Sequence, residues 1–232
     1  MIKISDVILA SPEQMKFIIE GMRNPKNSWD KSDSFDYDDP YKKKFFLGDN
    51  DKSLMQRLAK AGTEHRKYMR MMPVYVRITA PLYWWKEFDT YKVGTVANSC
   101  STMHKIAEKE FTLDDFSCEH LYFDDNHPLH AIDCNDYRVD GNGYICLLIN
   151  ILNYWRKKYL ETKSKDIWWQ MIQLLPSSYN QTRNVMLNYE VLANIYRQRK
   201  NHKLDEWIKF CKWIETLPYK ELITGEYEGK KA

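Results

Sequence analysis

The fold of this 232-residue chain is decided by Pro73–His104, which reads PVYVRITAPLYWWKEFDTYKVGTVANSCSTMH. Its first seven residues are rich in β-branched and aromatic side chains, which is typical of a strand. Ala80-Pro81 then opens a helix predicted over Leu82–Tyr91, because proline is favoured in the first turn of a helix. Gly94–Thr95 is expected to break that helix, and the residues after the break predict another helix over Ser99–Lys109.

The second informative stretch is Leu175–Arg199, which reads LPSSYNQTRNVMLNYEVLANIYRQR. The spacing of its apolar residues predicts a helix over Gln181–Arg199. Residues three and four apart on a helix lie on the same side. The predicted helix therefore has a polar face with Arg183, Glu190, Asn194 and Arg197, and a largely apolar face with Val185, Leu192, Tyr196 and Arg199.

Outward from these stretches, the first half of the chain contains further strand and helix signals, and the second half is predicted to be helical. Ile2–Leu9 alternates between apolar and polar residues, which indicates a strand. Ser11 and Gln14 predict a capping box at the start of a helix that ends near Met22. Two further loops are predicted, over Asn24–Asn50, where a short helix near Tyr41–Phe46 is one option, and over Asp124–Gly143, with a turn at Asn142-Gly143. A helix is predicted over Asp51–Ala61 and is ended by Gly62. The predicted helices of the second half lie over Tyr144–Thr162, Asp166–Leu174 and Leu204–Thr216.

These elements predict an α+β fold, with a small sheet and a largely helical C-terminal half. The sequence shows no internal repeat and no linker of biased composition. We therefore expect one domain over residues 1–225, followed by a polar tail over residues 226–232.

The composition excludes several classes of function. The net charge of +3 arises from 35 basic and 32 acidic residues, so the chain lacks the strongly basic character of nucleic-acid-binding domains. The longest uncharged apolar stretch, Tyr144–Trp155, is too short to span a bilayer, and the first residues do not resemble a signal peptide. Five cysteines without a C-x-x-C pair favour a reduced setting. We therefore expect a cytoplasmic protein without membrane or nucleic-acid partners.

The two quoted stretches resemble the signature regions of the flavin-dependent (complementing) thymidylate synthases. In that family a strand leads into Ala-Pro and then into a helix that carries an Arg-His-Arg element. Here Ala80-Pro81 follows the predicted strand, and the Arg-His-Arg positions fall on Thr90, Tyr91 and Lys92. Only Lys92 keeps a positive charge, and lysine lacks the bidentate fork that arginine offers to phosphate.

The family's next element, Asn-Glu-x-Ser-x-Arg-Tyr, is matched here by residues 98–104, provided that one extra residue is allowed before it. Asn98 and Ser101 are kept. Ser99 stands in place of the glutamate, and Met103 stands in place of the arginine. The resemblance therefore extends to the fold more strongly than to the chemistry.

The stretch that ends at Arg199 matches the family without a gap. Asn188 occupies the first position of the family's Asn-x-Arg element, but Glu190 replaces its arginine, which reverses the charge. The family's Leu-Arg pair aligns with Gln198-Arg199. Upstream of the strand, Arg70–Met72 stands where the family has Glu-His.

The resemblance implies a reaction in which a one-carbon unit moves from a reduced folate to C5 of dUMP, with FAD supplying hydride. It also implies a homotetramer and a pyrimidine nucleotide as substrate. Ser101 would be the catalytic residue, because it matches the family's serine that faces the pyrimidine. The binding residues that the resemblance implies are Thr90, Tyr91, Lys92, Asn98 and Asn188 for the cofactor, and Ser99 and Arg199 for the substrate. Helical spacing adds Arg183 and Arg197 as candidate substrate residues, because either can supply the missing cation while it pairs with Glu190.

The residues leave alternatives open. A serine after a helix break is often only a helix cap, and arginines near Glu190 are often only part of a salt-bridge network. We therefore retain two functional hypotheses. One is an enzyme that methylates dUMP or a related pyrimidine nucleotide, and the other is an inactive nucleotide- or flavin-binding scaffold with a regulatory or interaction role.

Residue types that bind metals occur without a metal-binding pattern. The candidates are Cys118, His120, His127, His130 and Cys134. Their spacing fits no standard zinc motif. We therefore expect no metal site.

Overall fold

The computed structural model of the protein describes residues 1–122, 131–134 and 137–226, without the side chains of residues 131–139. Its strands are β1 (Lys3–Leu9), β2 (Phe35–Asp38), β3 (Lys43–Phe46), β4 (Pro73–Pro81), β5 (Val96–Ser99), β6 (Ala131–Cys134), β7 (Tyr137–Asp140) and β8 (Asn180–Asn188). Its α-helices are α1 (Pro12–Arg23), α2 (Asp49–Lys60), α3 (Lys67–Arg70), α4 (Leu82–Phe88), α5 (Thr102–Lys105), α6 (Gly141–Thr162), α7 (Lys165–Leu174), α8 (Tyr189–Arg199), α9 (Asp205–Ile214) and α10 (Glu221–Thr224).

The strands form one small sheet and two hairpins. The sheet has four strands in the order β1-β4-β8-β5, and the hairpins pair β2 with β3 and β6 with β7 in antiparallel fashion. Helices α6 to α10 dominate the second half of the chain. The predicted α+β class, with a small sheet and a largely helical C-terminal half, is therefore confirmed. Within the part of the chain that the structure describes, no helix is long and apolar enough to cross a membrane.

The chain forms two compact units. The first unit contains Met1–Lys3, Thr79–Phe88 and Ser99–Arg183, and the second contains Ile4–Ile78, Asp89–Asn98 and the chain from Asn184 onwards. The single domain over residues 1–225 stays a prediction. Of the predicted polar tail, only Glu226 lies within the described residues.

The core of the first unit is built on helices α6 and α7. Asp140 caps the N-terminus of α6, since its carboxylate accepts a hydrogen bond from the backbone N–H of Gly143 at 2.5 Å. The long helix then presents an apolar face to α7 and to the preceding loop. The buried residues of this core are Ile106, Ala107, Phe111, Phe116, Ile145, Leu148, Leu152 and Met171.

The second unit begins with the strand and helix that the sequence predicts. Both hydrogen bonds of the capping box are present, from Gln14 N–H to the Ser11 hydroxyl at 3.2 Å and from Ser11 N–H to the Gln14 side chain at 2.8 Å. The buried face of α1 then packs into the unit's core. Members of this core include Met15, Ile18, Ile19, Met55, Met69, Val76, Leu192, Ile195, Trp207 and Phe210.

The helix predicted over Gln181–Arg199 is wrong in its first half. That part of the chain is strand β8, which lies between β4 and β5, and α8 begins only at Tyr189. Val185 and Leu187 are buried two residues apart, at the period of a strand. Pairing with a strand on each side therefore overrides the helical spacing of the apolar residues, which is a tertiary effect.

Two predicted loop regions contain hairpins. The short helix considered near Tyr41–Phe46 is wrong, because β3 pairs there with β2 and places Phe46 opposite Phe35, with ring centroids 5.1 Å apart. The loop predicted over Asp124–Gly143 contains the β6–β7 hairpin. The turn predicted at Asn142-Gly143 is instead the first turn of α6.

Two predicted helices are too long. Helix α4 ends at Phe88, three residues before the predicted end at Tyr91. The helix predicted over Ser99–Lys109 is reduced to α5, because Ser99 is the last residue of β5. Strand pairing again decides the difference, since β5 pairs with β8 at the edge of the sheet.

A buried ion pair ties α1 to α2 within the second unit. Asp51 is fully buried and accepts hydrogen bonds from Arg23 Nε at 2.5 Å and from the hydroxyls of Ser32 at 2.8 Å and Ser34 at 2.7 Å. Burial by itself would raise the pKa of Asp51, but the hydrogen bonds from Ser34, Ser32 and Arg23 outweigh it and lower the pKa. The carboxylate is therefore charged in the folded protein at neutral pH.

We predict that Asp51→Asn lowers the free energy of unfolding by about 3–5 kcal/mol, because it leaves the buried Arg23 without a counter-charge. Urea denaturation at pH 7 measures this change. The matched variant Asp49→Asn, at an exposed position of the same helix, should change the free energy of unfolding by less than about 1 kcal/mol. Equal effects of the two substitutions would contradict the assignment.

The lowered pKa of Asp51 predicts that the protein loses stability in acid. The pKa of Asp51 is lower in the folded protein than in the unfolded chain, where it is about 4. Its contribution to stability is therefore complete above pH 4 and is lost as the pH falls through the lower, folded pKa. Denaturation curves between pH 2 and pH 6 should show a smaller loss of stability for Asp51→Asn than for the wild type.

Candidate functional site

The N-terminus of α8 is held by Asn188, the last residue of β8. The side-chain oxygen of Asn188 accepts a hydrogen bond from Val191 N–H at 3.0 Å, and the residue is only 8% exposed. A Cβ atom on Gly94 would lie 3.0 Å from Asn188 Nδ2 and 3.2 Å from Val191 Cγ2, and Gly94 has φ +79°. Only glycine fits this conformation and this close approach without strain. The turn at Gly94 therefore lies directly against the start of α8.

The end of α8 carries a second contact with the same segment. Tyr91 donates a hydrogen bond to the side-chain oxygen of Gln198 at 2.9 Å, and Arg199 Nε donates to the Tyr91 hydroxyl at 2.9 Å. The guanidinium carbon of Arg199 lies 4.9 Å from the ring centroid of Trp207 and 5.8 Å from that of Tyr91. His202 Nε2 lies 2.9 Å from Arg199 Nη1. Arg199 is thus a permanently charged, oriented cation between aromatic rings.

Glu190 is neutralised by two arginines from the segment before β4. Its carboxylate pairs with Arg66 Nε at 3.4 Å and with Arg70, and Glu190 is 9% exposed. The expectation that Arg183 or Arg197 pairs with Glu190 is wrong. Arg183 lies on strand β8 rather than on a helix, so it shares no helix face with Glu190, and Arg197 bonds to the Asn194 side chain at 3.2 Å.

The contact between Glu190 and Arg70 joins two positions at which the sequence departs from the resembled family. By the resemblance, the family has arginine at the position of Glu190 and Glu-His where this chain has Arg70–Met72. Arg70 and Glu190 contact each other here. The negative charge of Glu190 is therefore balanced at the start of α8 by Arg66 and Arg70.

The remaining predicted residues of the second unit have different surroundings. Thr90, Lys92 and Asn98 are exposed, and Asn98 lines a depression of about 340 Å³ on the face of the sheet. Arg197 and Arg199 lie two residues apart on α8, which places their side chains on opposite sides of the helix. The structure therefore gathers Tyr91, Asn188 and Arg199 around one helix and places Arg197 elsewhere.

In the first unit, Ser101 acts as a helix cap. Its hydroxyl accepts a hydrogen bond from His104 N–H at 3.2 Å at the start of α5. Ser101 also lines a polar cavity of about 480 Å³, together with Lys109, Asp115 and Tyr179. Burial, with the nearby Asp115 and Cys100, raises the pKa of Tyr179, so its phenol is neutral at pH 7.

Arg183 supports the wall of this cavity. Its guanidinium carbon lies 4.2 Å from the ring centroid of Trp85, and its Nε donates to the side-chain oxygen of Gln181 at 2.9 Å. Gln181 in turn donates to the Thr102 hydroxyl at 3.0 Å and to the Cys100 carbonyl at 3.3 Å. Arg183 thus orients the loop that carries Ser101, while Ser99 is exposed at the end of β5.

Sequence reasoning missed several residues that shape the site. Gly94 was treated only as a helix breaker, and Arg66, Gln181 and His202 were not selected. A positive φ at Gly94 could have been suspected from the turn signal. The contacts of the other three depend on residues far away in sequence, so no local pattern reports them.

The prediction of no metal site rests on spacing alone. The structure shows no group of three or more His, Cys, Asp or Glu side chains able to hold a metal ion among the residues it describes. His127, His130 and the side chain of Cys134 lie outside those residues.

Comparison with solved structures identifies the fold. Two structures of the flavin-dependent thymidylate synthase ThyX from Helicobacter pylori with FAD and dUMP match at TM-scores of 0.62 and 0.61, with 15% and 16% identity. The first match covers 97% of both chains, and the second covers 95% of this chain and 97% of the other. The UMP/dUMP methylase PolB from Streptomyces cacaoi, bound with 5-Br dUMP, matches at TM-score 0.57 and 13% identity, over 97% of this chain and 94% of PolB.

This protein therefore has the fold of the flavin-dependent thymidylate synthases. Sequence identities of 13–16% establish a similar fold only, so the activity has to be argued from the residues of the site. No protein-family model and no curated protein matches the sequence. The predicted resemblance is confirmed at the level of the fold.

We predict that Glu190→Gln lowers the free energy of unfolding by about 1–3 kcal/mol, because Arg70 loses a charged hydrogen-bond acceptor and Arg66 loses its counter-charge. Arg70→Gln should cost less than about 1 kcal/mol, since Arg70 is half exposed and Arg66 remains. A double-mutant cycle measured by urea denaturation gives their coupling. Glu20→Gln, at an exposed position of α1, is the control. Additive effects of the two substitutions would contradict the ion pair between Arg70 and Glu190.

Proposed function

We propose that this protein binds a pyrimidine nucleotide and FAD, and that it methylates dUMP or a related pyrimidine nucleotide at C5 with a reduced folate. The observation that carries this proposal is the bond between Tyr91 and Arg199. Tyr91 belongs to the stretch Pro73–His104 and aligns with the family's Arg-His-Arg element. Arg199 is the last residue of the stretch Leu175–Arg199, so this hydrogen bond joins the two signature stretches. Solved structures of the same fold contain FAD and dUMP, or a brominated dUMP, which supports the same ligand class.

Arg199 is the cation best suited to the nucleotide. It is held by Tyr91, His202 and the ring of Trp207, so little freedom is lost when it binds an anion. Arginine also offers several N–H donors in a fixed plane, which suits phosphate and pyrimidine carbonyl oxygens. The ring of Trp207 itself is fully buried, so it serves as a support rather than as a stacking surface.

The residues around Gly94 offer a flavin cofactor a positive charge on a fixed turn. Lys92 is an exposed cation in the turn that lies against α8, and it suits the pyrophosphate of FAD. The close approach of the Gly94 backbone to Asn188 keeps this turn in one position. Thr90, Tyr91, Asn98 and Asn188 complete the proposed cofactor residues. When bound, the flavin would supply the hydride, while the protein binds and orients it.

A second candidate function, an inactive nucleotide- or flavin-binding scaffold with a regulatory or interaction role, is favoured by one observation. The Ser101 hydroxyl accepts a backbone hydrogen bond as the cap of α5. A nucleophilic serine needs a base that removes its proton. No such base is among the contacts of Ser101 in the described residues. Its catalytic role therefore stays a prediction, as do the roles of Ser99, Arg183 and Arg197 in substrate binding.

We further propose a homotetramer in the cytoplasm. The sheet face of the second unit exposes apolar side chains, including Ile8 at 63%, Tyr75 at 48% and Val96 at 61%. Neighbouring exposed apolar residues of this kind often mark an interface between subunits. Cys100 and Cys146 are exposed free thiols, which suits a reducing compartment.

We predict that Arg199→Gln weakens dUMP binding by about 10- to 100-fold, the loss expected for one or two charged hydrogen bonds. Isothermal titration calorimetry measures the affinity, and a thermal melt shows whether the variant is folded. Lys209→Gln, at an exposed position of α9, removes the same charge elsewhere and should leave dUMP affinity unchanged. Equal affinity of Arg199→Gln and wild type would remove Arg199 from the site.

We predict that purified protein loaded with FAD and then desalted keeps the visible absorption of oxidised flavin. Lys92→Ala should retain less than a tenth as much flavin, because it removes the proposed phosphate contact, whereas Lys86→Ala on α4 should behave as wild type. Release of tritium from C5-labelled dUMP then separates the two functions. Release indicates the methylating enzyme, flavin binding without release indicates the scaffold, and a protein that cannot be loaded refutes the flavoprotein proposal.

A further inference from the structure

A basic cavity lies in the second unit, on the side of α8 away from Arg199. It encloses about 260 Å³ between the end of α2, α8 and α10. Four of its lining residues carry a positive charge, and no aspartate or glutamate of the described chain is among them. The basic residues are Lys60, Arg66, Arg197 and Lys200.

The arrangement concentrates positive charge. Arg197 and Lys200 lie three residues apart and share one face of α8. Lys60 is the last residue of α2, and Arg66 lies in the segment between α2 and α3. The rest of the lining is largely apolar and includes the buried Ala59, Ala193, Leu222 and Ile223. Apolar walls screen charge poorly, so the potential in such a cavity is stronger than on an open surface.

Arg66 lines this cavity while it is paired with Glu190. The Glu190 carboxylate is shared between Arg66 and Arg70, and its oxygen is 3.4 Å from Arg66 Nε. Arg66 Nε is buried and makes no hydrogen bond to any residue that the structure describes. Its pairing with Glu190 is therefore an electrostatic contact without a hydrogen bond. Arg66 thus contributes a charged guanidinium group to the wall of the cavity.

We propose that this cavity is a binding site for a phosphate group, carried by a small phosphorylated molecule or present as inorganic phosphate. Two guanidinium groups can each bind phosphate oxygens through paired N–H donors, and two ammonium groups add charge. The volume admits a phosphate with a small substituent but is too small for a whole dinucleotide cofactor such as FAD. The site is independent of the proposed nucleotide contact at Arg199.

The test is a titration with inorganic phosphate, at constant ionic strength set with sodium chloride because exposed charges are screened by salt. The variant Arg197→Gln/Lys200→Gln replaces two exposed cavity residues and should remain folded. We expect calorimetry to show phosphate binding that is at least tenfold weaker in this variant than in the wild type. Phosphate should also raise the melting temperature of the wild type more than that of the variant.

Two controls make the test specific. Lys203→Gln/Lys209→Gln removes the same charge from exposed positions outside the cavity and should bind phosphate as the wild type does. Arg199→Gln should also bind phosphate normally, whatever the outcome for dUMP. The proposal is overturned if wild type binds no phosphate, if Arg197→Gln/Lys200→Gln binds it as the wild type does, or if the loss occurs instead in Arg199→Gln.

Discussion

The contact on which the candidate site depends is the one between the side chain of Asn188 and the backbone at Gly94. Asn188 ends strand β8 and caps helix α8, so the position of the strand fixes where the helix begins. Gly94 fits against it because it has no side chain and adopts a positive φ. Tyr91, three residues earlier, reaches Arg199 at the other end of the helix. The same short segment therefore holds both ends of α8.

The charge of Glu190 at the start of α8 is balanced within the protein. A glutamate at a position where the resembled family has arginine would by itself repel an anionic ligand. Here Arg66 and Arg70 neutralise Glu190 from the segment before β4. This attraction holds the segment before β4 to the start of α8. In the proposed function, the cation that contacts the nucleotide is Arg199, which Tyr91 and His202 orient.

The basic residues of α8 are divided between two faces, and the faces have different chemistry. Arg199 is enclosed by aromatic rings and hydrogen-bonded to Tyr91. Arg197 and Lys200 lie on the other side, in a cavity that also receives Lys60 and Arg66. The helix geometry makes this division unavoidable for residues 197 and 199, since they are about 200° apart around the axis. The two proposed anion sites therefore lie on different sides of one helix.

The sequence alone determined the elements that depend on neighbouring residues. The capping box of Ser11 and Gln14, strand β4 and helices α6, α7 and α9 follow from local patterns, and the two signature stretches indicated the fold. Tertiary structure decided the rest. Strand β8 forms only because β4 and β5 lie beside it. Glu190 pairs with Arg70, which is 120 residues away, rather than with a neighbour on its own helix. Local patterns report interactions within a few residues, whereas strand pairing and ion pairs between distant segments form only after the chain has folded.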